Sequence, residues 1–171
     1  MPLFERLNLL PGQARLWLYA SDRPLTPEEE AQLIARFEGF AAAWSSHGRT
    51  VTGLAEIADS RVLGIAAWVE DGDISGCGID KSVHAIHELS AELGFSWLAG
   101  LNVVWRDGTG AIRVGSRRDF REQVASGAVT GDTPVIDLSA TYVGDLPGVE
   151  RPAAESWHAQ VFGLSAQPRE A

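Results

Sequence analysis

The chain has a single cysteine in 171 residues. One thiol cannot close an internal disulfide, so the fold must rest on its core, and the count agrees with a reducing, cytoplasmic setting. Basic residues are also in short supply, 14 against 23 acidic, for a formal net charge of −9. An acidic surface repels phosphate backbones, which argues against nucleic acid as a partner. No apolar run approaches the ~18 residues of a bilayer-spanning helix, so no membrane is expected either. The first ten residues carry an acid, Glu5, where a signal peptide carries basic residues, and no long apolar stretch follows. Secretion is therefore not expected. Repeats, low-complexity tracts and long linkers are missing as well, and a single domain over residues 1–171 is the expectation. What remains, 45% hydrophobic and 22% charged, is an ordinary globular composition on a chain long enough to bury a full core.

Residues 14–20 alternate, with Ala14, Leu16, Leu18 and Ala20 on one face and Arg15, Trp17 and Tyr19 on the other, and predict a strand. Thr26, Pro27 and Glu29 form a helix start with a capping box. The stripe Leu33, Ile34, Phe37, Phe40, Ala41, Trp44 continues that helix, and Gly48 after His47 is read as its stop. Residues 50–58 and 61–69 predict a hairpin about Asp59 and Ser60. Val83, Ile86, Leu89 and Leu93 mark a second helix ended by Gly94, and residues 101–106 predict a fourth strand. The order strand, helix, strand, strand, helix, strand is that of an α+β, ferredoxin-like split βαβ core (βαββαβ) over about residues 12–106. Beyond it, about residues 107–162 form a hairpin and helix extension: a strand at 111–114, a helix at 116–127, a short strand at 133–138, a loop at 144–152 and about two helical turns at 154–162.

In this topology the first and third strands are read as parallel. That places the loops 21–26 and 71–80 on one edge, making Arg23 and Cys77 neighbours and sending His47 to the opposite edge. Trp17, Tyr19 and Trp68 are assigned to the open face of the sheet, where a patch of that size calls for a cover. The C-terminal third, a protein partner or a second copy in a homodimer would each serve.

Residues 75–94 gather the chemistry: the only cysteine, Asp80, Lys81 and two of the four histidines, His84 and His87. A helix N-terminus carries unpaired N–H groups and partial positive charge, which favours a thiolate or a bound anion. Ser75, Gly76 and Gly78 would let backbone N–H groups approach such an anion, with Arg23 and Lys81 supplying charge and Asp80 beside them. In the catalytic alternative Cys77 is a nucleophilic or redox thiol and His84 its proton acceptor. The structural alternative is a buried cysteine, Asp80 as a helix cap and His84 on a helix flank. Cys77, His84 and His87 are metal-ligand types, but the spacing of the two histidines is no recognised ligand motif, so no metal is assigned, with His158 the one further donor that could reach them. Which cofactor, if any, the chain uses is left open by these residues.

The segments Arg15-Leu-Trp-Leu-Tyr19 with Arg23, Trp44 with His47-Gly48, Ser75-Gly-Cys-Gly-Ile-Asp-Lys-Ser-Val-His84, Arg106-Asp-Gly108 and Glu155-Ser-Trp-His158 keep the order and spacing of a known set. On these the chain resembles a small family of bacterial proteins of about this length, often labelled "ABC transporter ATPase". Gly78 departs from that pattern, which more often has serine there. The resemblance implies no established activity. The label itself fails a physical test, because the chain has no Gly-x-x-x-x-Gly-Lys-Ser/Thr loop to cradle phosphates.

Overall fold

The computed structural model describes residues 2–98 and 101–166, the side chain of Cys77 excepted. Strand β1 (Arg15–Ser21) leads to helix α1 (Pro27–Ala41), then to two short strands, β2 (Ser45–Ser46) and β3 (Arg49–Thr50). The long hairpin β4 (Thr52–Ala58) and β5 (Val62–Trp68) follows, then α2 (Gly76–Leu93) and β6 (Trp97–Leu98). Thr26 caps α1 as its sequence predicts, accepting from the Glu29 N–H while the Glu29 carboxylate accepts from the Thr26 N–H. Gly94, left-handed at φ 75°, ends α2. Helix α1 ends earlier than its apolar stripe suggested. His47 and Gly48 take left-handed φ values of 49° and 77° and turn β2 back onto β3, so Gly48 serves a hairpin and not a helix cap.

These strands form one sheet in the order β4-β5-β1-β6, each neighbour antiparallel. Strand β1 pairs with β5 in the register Trp17↔Ile65 and Leu16↔Ala66, which overturns the expected parallel pairing of the first and third strands. The reason is connectivity. Each helix carries the chain back along the sheet, so β1 and β4 point one way and β5 and β6 the other. The fourth strand is the two-residue β6, and residues 101–106 do not belong to this sheet.

They open a second sheet instead. Strand β7 (Val103–Arg106) pairs with β8 (Ile112–Gly115) on one side and β9 (Pro134–Ile136) on the other, and β9 pairs with β10 (Glu150–Pro152). Helix α3 (Arg117–Ala125) follows β8, and α4 (His158–Phe162) closes the described chain. The expected loop at 144–152 is a 3-10 turn, Val143–Gly148, leading into β10. The core boundary therefore falls ahead of Val103 and not at 106, and the extension is a sheet in its own right. An apolar alternation such as 103–106 fits either sheet; only the partners decide.

The first sheet is covered on both faces. Trp17 and Tyr19 lie half-buried under the helices, against the cluster of Leu33, Phe37, Ile65, Ile86 and Leu89. The opposite face, with Leu16, Leu18, Ala66 and Trp68, packs on Val104, Ile136 and Val143 of the extension and on Phe4 and Leu7 of the leader, the described residues 2–14 ahead of β1. The assignment of Trp17, Tyr19 and Trp68 to one open, partner-seeking face is thus corrected: the two β1 aromatics lie opposite Trp68, and the extension and leader supply the cover. Alternation shows that two faces exist. It cannot show which is covered when both are apolar. Residues 141–143 also pair along β1, with Leu16 N–H donating to Thr141 O and Val143 N–H to Ala14 O at 2.8 and 2.9 Å. Around the other edge, Arg6 of the leader and Glu38 of α1 form an ion pair at 3.0 Å, a strap outside β4 that helps to guard an otherwise open strand edge.

Candidate functional site

The start of α2 assembles as a capped helix end. Ser75 is the N-cap, its hydroxyl accepting from the Gly78 N–H, and its own N–H donates to the Ser46 hydroxyl at 2.9 Å. Through that bond the β2/β3 turn carrying His47 lies beside the α2 start, not on the far edge where it was expected. Cys77 has its backbone in the first turn; its side chain lies outside the described residues. Gly76, Asp80 and Lys81 are exposed. His84 is also exposed, and its Nε2 lies 3.1 Å from Glu88. Around this end Asp71, Asp73 and Asp80 are all exposed, and they set negative charge against any anion drawn by the helix terminus.

Arg23 is elsewhere. Its guanidinium grips both Glu29 oxygens at 2.9 and 2.7 Å and donates to Leu93 O, in the last turn of α2, at 2.9 Å. An 18-residue helix spans about 27 Å, so Arg23 and Cys77 sit at opposite ends of the same helix. This follows from the antiparallel pairing of β1 and β5, and it removes Arg23 from any site built on Cys77. The hydrogen bond to Arg23, first, holds the Glu29 carboxyl at about 2.

Gly78 has a packing reason. A Cβ there would lie 2.8 Å from Nε1 of Trp44, a buried indole nitrogen with no hydrogen-bond partner among the described residues. Gly78→Ala is expected to destabilise by about 1–2 kcal/mol, overpacking outweighing the better helix propensity. Gly78→Ser meets the same crowding, but its hydroxyl can accept from the indole and recover about 1 kcal/mol. Urea denaturation of both variants checks the order; an alanine variant as stable as the serine one would show that the indole gains nothing.

A better-built polar site lies in the extension, where sequence reasoning assigned none. Asp137 follows β9 and is almost buried; its Oδ1 accepts from the Ser139 hydroxyl (2.6 Å), the Ser139 N–H (3.0 Å) and Trp157 Nε1 (3.3 Å), and its Oδ2 from Arg151 on β10 (3.0 Å). Burial alone pushes its pKa up. The donated bonds and the Arg151 charge outweigh that and hold the carboxyl below its usual range, so it is ionised at neutral pH. Trp157 stacks on His158 at 3.8 Å, and the Arg117 guanidinium lies 5.6 Å from the Trp157 ring.

Ser156 and His158 resemble a nucleophile and base, with Oγ and Nδ1 2.6 Å apart. Their environment argues otherwise. The Ser156 hydroxyl also lies within hydrogen-bond distance of Ala153 O, at 3.1 Å, and both residues are buried. Burial pushes the imidazole down to about 4, so it is neutral, and its Nε2 has no described partner. This is a packed corner of the second sheet's core, with Phe120 beside it. His158 accordingly does not approach His84 or His87, and among the described residues no group of three or more His, Cys, Asp or Glu side chains is placed to hold a metal.

Asp137 and Ser139 form the common wall of two crevices. One, about 380 Å³, is lined by Asn102, Arg117, Leu138 and Trp157; the other, about 440 Å³, by Ala140, Asp145, Gly148 and Arg151. A larger depression of about 650 Å³ lies between α1 and α2, but Ala35, Gly39, Phe40 and Ala85 give it little polar chemistry. The resemblance had marked Trp157 and His158. For Asp137, the only local signal was an aspartate at the end of a short strand with a serine two residues on. No helix among the described residues is long and apolar enough to cross a membrane. Comparison with protein-family models, curated proteins and solved structures returns no match.

Proposed function

We propose that the chain is a binding module that takes a small anionic ligand in the crevice at Arg117. One observation carries the reading: Arg117 is exposed and makes no ion pair among the described residues, and it lines a crevice whose one carboxylate, Asp137, is already answered by Arg151. Asn102 adds an amide donor on the same wall. The expected anion thus moves from the α2 start, where Ser75, Gly76, Asp80 and Lys81 stand without Arg23, to a crevice whose cation has no ion pair among the described residues. The ferredoxin-like reading of residues 15–98 is supported by the strand order β4-β5-β1-β6 and by helices joining β1 to β4 and β5 to β6. Membership of the bacterial family and a cytoplasmic setting remain part of this proposal, resting on the quoted motifs and the single cysteine.

Titration of ¹⁵N-labelled protein with butanoate and inorganic phosphate at low salt tests the site. Saturable shifts at Asn102, Ser139 and the Trp157 indole are expected, weakened about tenfold in Arg117→Gln, the effect of one charge-assisted hydrogen bond. Unmoved resonances, or equal binding by the variant, would defeat the reading.

The alternative is a small cysteine-dependent enzyme using Cys77, favoured by the placement of that residue's backbone in the first turn of α2. His84, its expected proton acceptor, is exposed, with Nε2 3.1 Å from Glu88. Iodoacetamide decides it: alkylation of the native protein at neutral pH no faster than free cysteine retires the nucleophile.

A further inference from the structure

The second crevice carries the opposite charge. Asp145 lies on its wall and uses Oδ2 to accept the N–H groups of Thr141 and Tyr142, at 3.3 and 3.1 Å. Its Oδ1 has no hydrogen bond among the described residues, and the carboxylate makes no ion pair among them. Arg151, the only base on that wall, is committed to Asp137. A cation and an anion without ion-pair partners among the described residues therefore line adjoining crevices that share Asp137 and Ser139.

We infer that the ligand is a small zwitterion, an amino carboxylate whose carboxylate meets Arg117 in one crevice and whose ammonium meets Asp145 in the other, crossing Ser139. The inference rests on the anion-binding reading of the Arg117 crevice and adds the second half of the ligand. The two charges select a dipolar molecule over a simple anion by complementarity, since a bare carboxylate leaves the Asp145 crevice to water. The backbone supports this half of the site: Asp145 sits in the 3-10 turn Val143–Gly148, held to the leader by Gly144 N–H donating to Gly12 O at 2.8 Å.

The test compares the ω-amino carboxylates from β-alanine to 6-aminohexanoate with their desamino counterparts, by the same NMR titration, in wild type and Asp145→Asn. Asparagine keeps an acceptor for the two N–H groups, so the turn is preserved. In wild type one chain length is expected to bind about threefold or more tighter than its desamino partner. Asp145→Asn should erase that preference and leave butanoate binding unchanged. Equal affinity for amino and desamino ligands would overturn the inference and leave the Arg117 site standing, as would a loss in Asp145→Asn shared by both ligand types. Binding of neither would overturn both.

Discussion

Arg61→Ala is expected to cost about 3 kcal/mol and to lower Tm by about 6–12 °C. Arg61 is buried yet has no carboxylate partner among the described residues; its guanidinium donates instead to Ser21 O at 3.1 Å, Asp22 O at 3.1 Å and, at 3.5 Å, to Ile112 O. Those carbonyls belong to the end of β1, the turn after it, and β8, so one side chain ties the two sheets together. Alanine leaves a cavity and buried acceptors unpaired, each costing about 1–3 kcal/mol. Because the partners are backbone dipoles, the loss should scarcely change between low and high salt, unlike that of a surface ion pair. Lysine, able to reach fewer carbonyls, should recover part of the loss. Chemical denaturation at two salt concentrations measures all three; a loss under 1 kcal/mol for alanine would mean that water replaces the guanidinium.

Asp137→Ala should cost about 2–3 kcal/mol, because it leaves the Trp157 N–H and the Ser139 groups without their acceptor, while Arg151, more than a third exposed, turns to water. Asp137→Asn keeps an acceptor for Ser139 and the indole and loses only the charge, so about 1–2 kcal/mol is expected. The pH dependence separates charge from shape. Asp137 has a folded pKa below its unfolded value near 3.8, so its stabilisation is complete above that value and is lost as pH falls through the folded pKa. Wild type should therefore fall more steeply than Asp137→Asn on acidification from pH 5. Part of the acid slope persists in the variant, because Glu29, at about 2, titrates in the same sense. Parallel acid limbs in urea midpoints between pH 2 and 7 would show that Asp137 contributes no charge to folding.

Arg61 and Asp137 were both invisible in the sequence as important residues, and for the same reason. Arg61 opens a strand beside a hairpin turn, and Asp137 ends a short one; what makes each matter is the set of backbone and side-chain groups that distant segments bring to it. The α2 start was the reverse case. Its composition drew attention to Cys77, Lys81 and His84, but Lys81 and His84 are exposed. The two-residue β6 and the β2/β3 turn were missed because short pairings carry too few residues to show a period.

The sequence by itself determined the α+β class, the extents of β1, β4 and β5 to within a residue or two, the capping box of α1 and the Gly94 stop of α2. These depend on residues within a turn or two of one another, where capping geometry and side-chain period are fixed by local sterics. Only the tertiary structure decided that β1 and β5 run antiparallel, that residues 103–106 serve a second sheet, and that Arg23 closes the far end of α2. Strand direction and face are set by which distant apolar surface completes the burial. A strand with two apolar faces accepts more than one answer until its partners are in place.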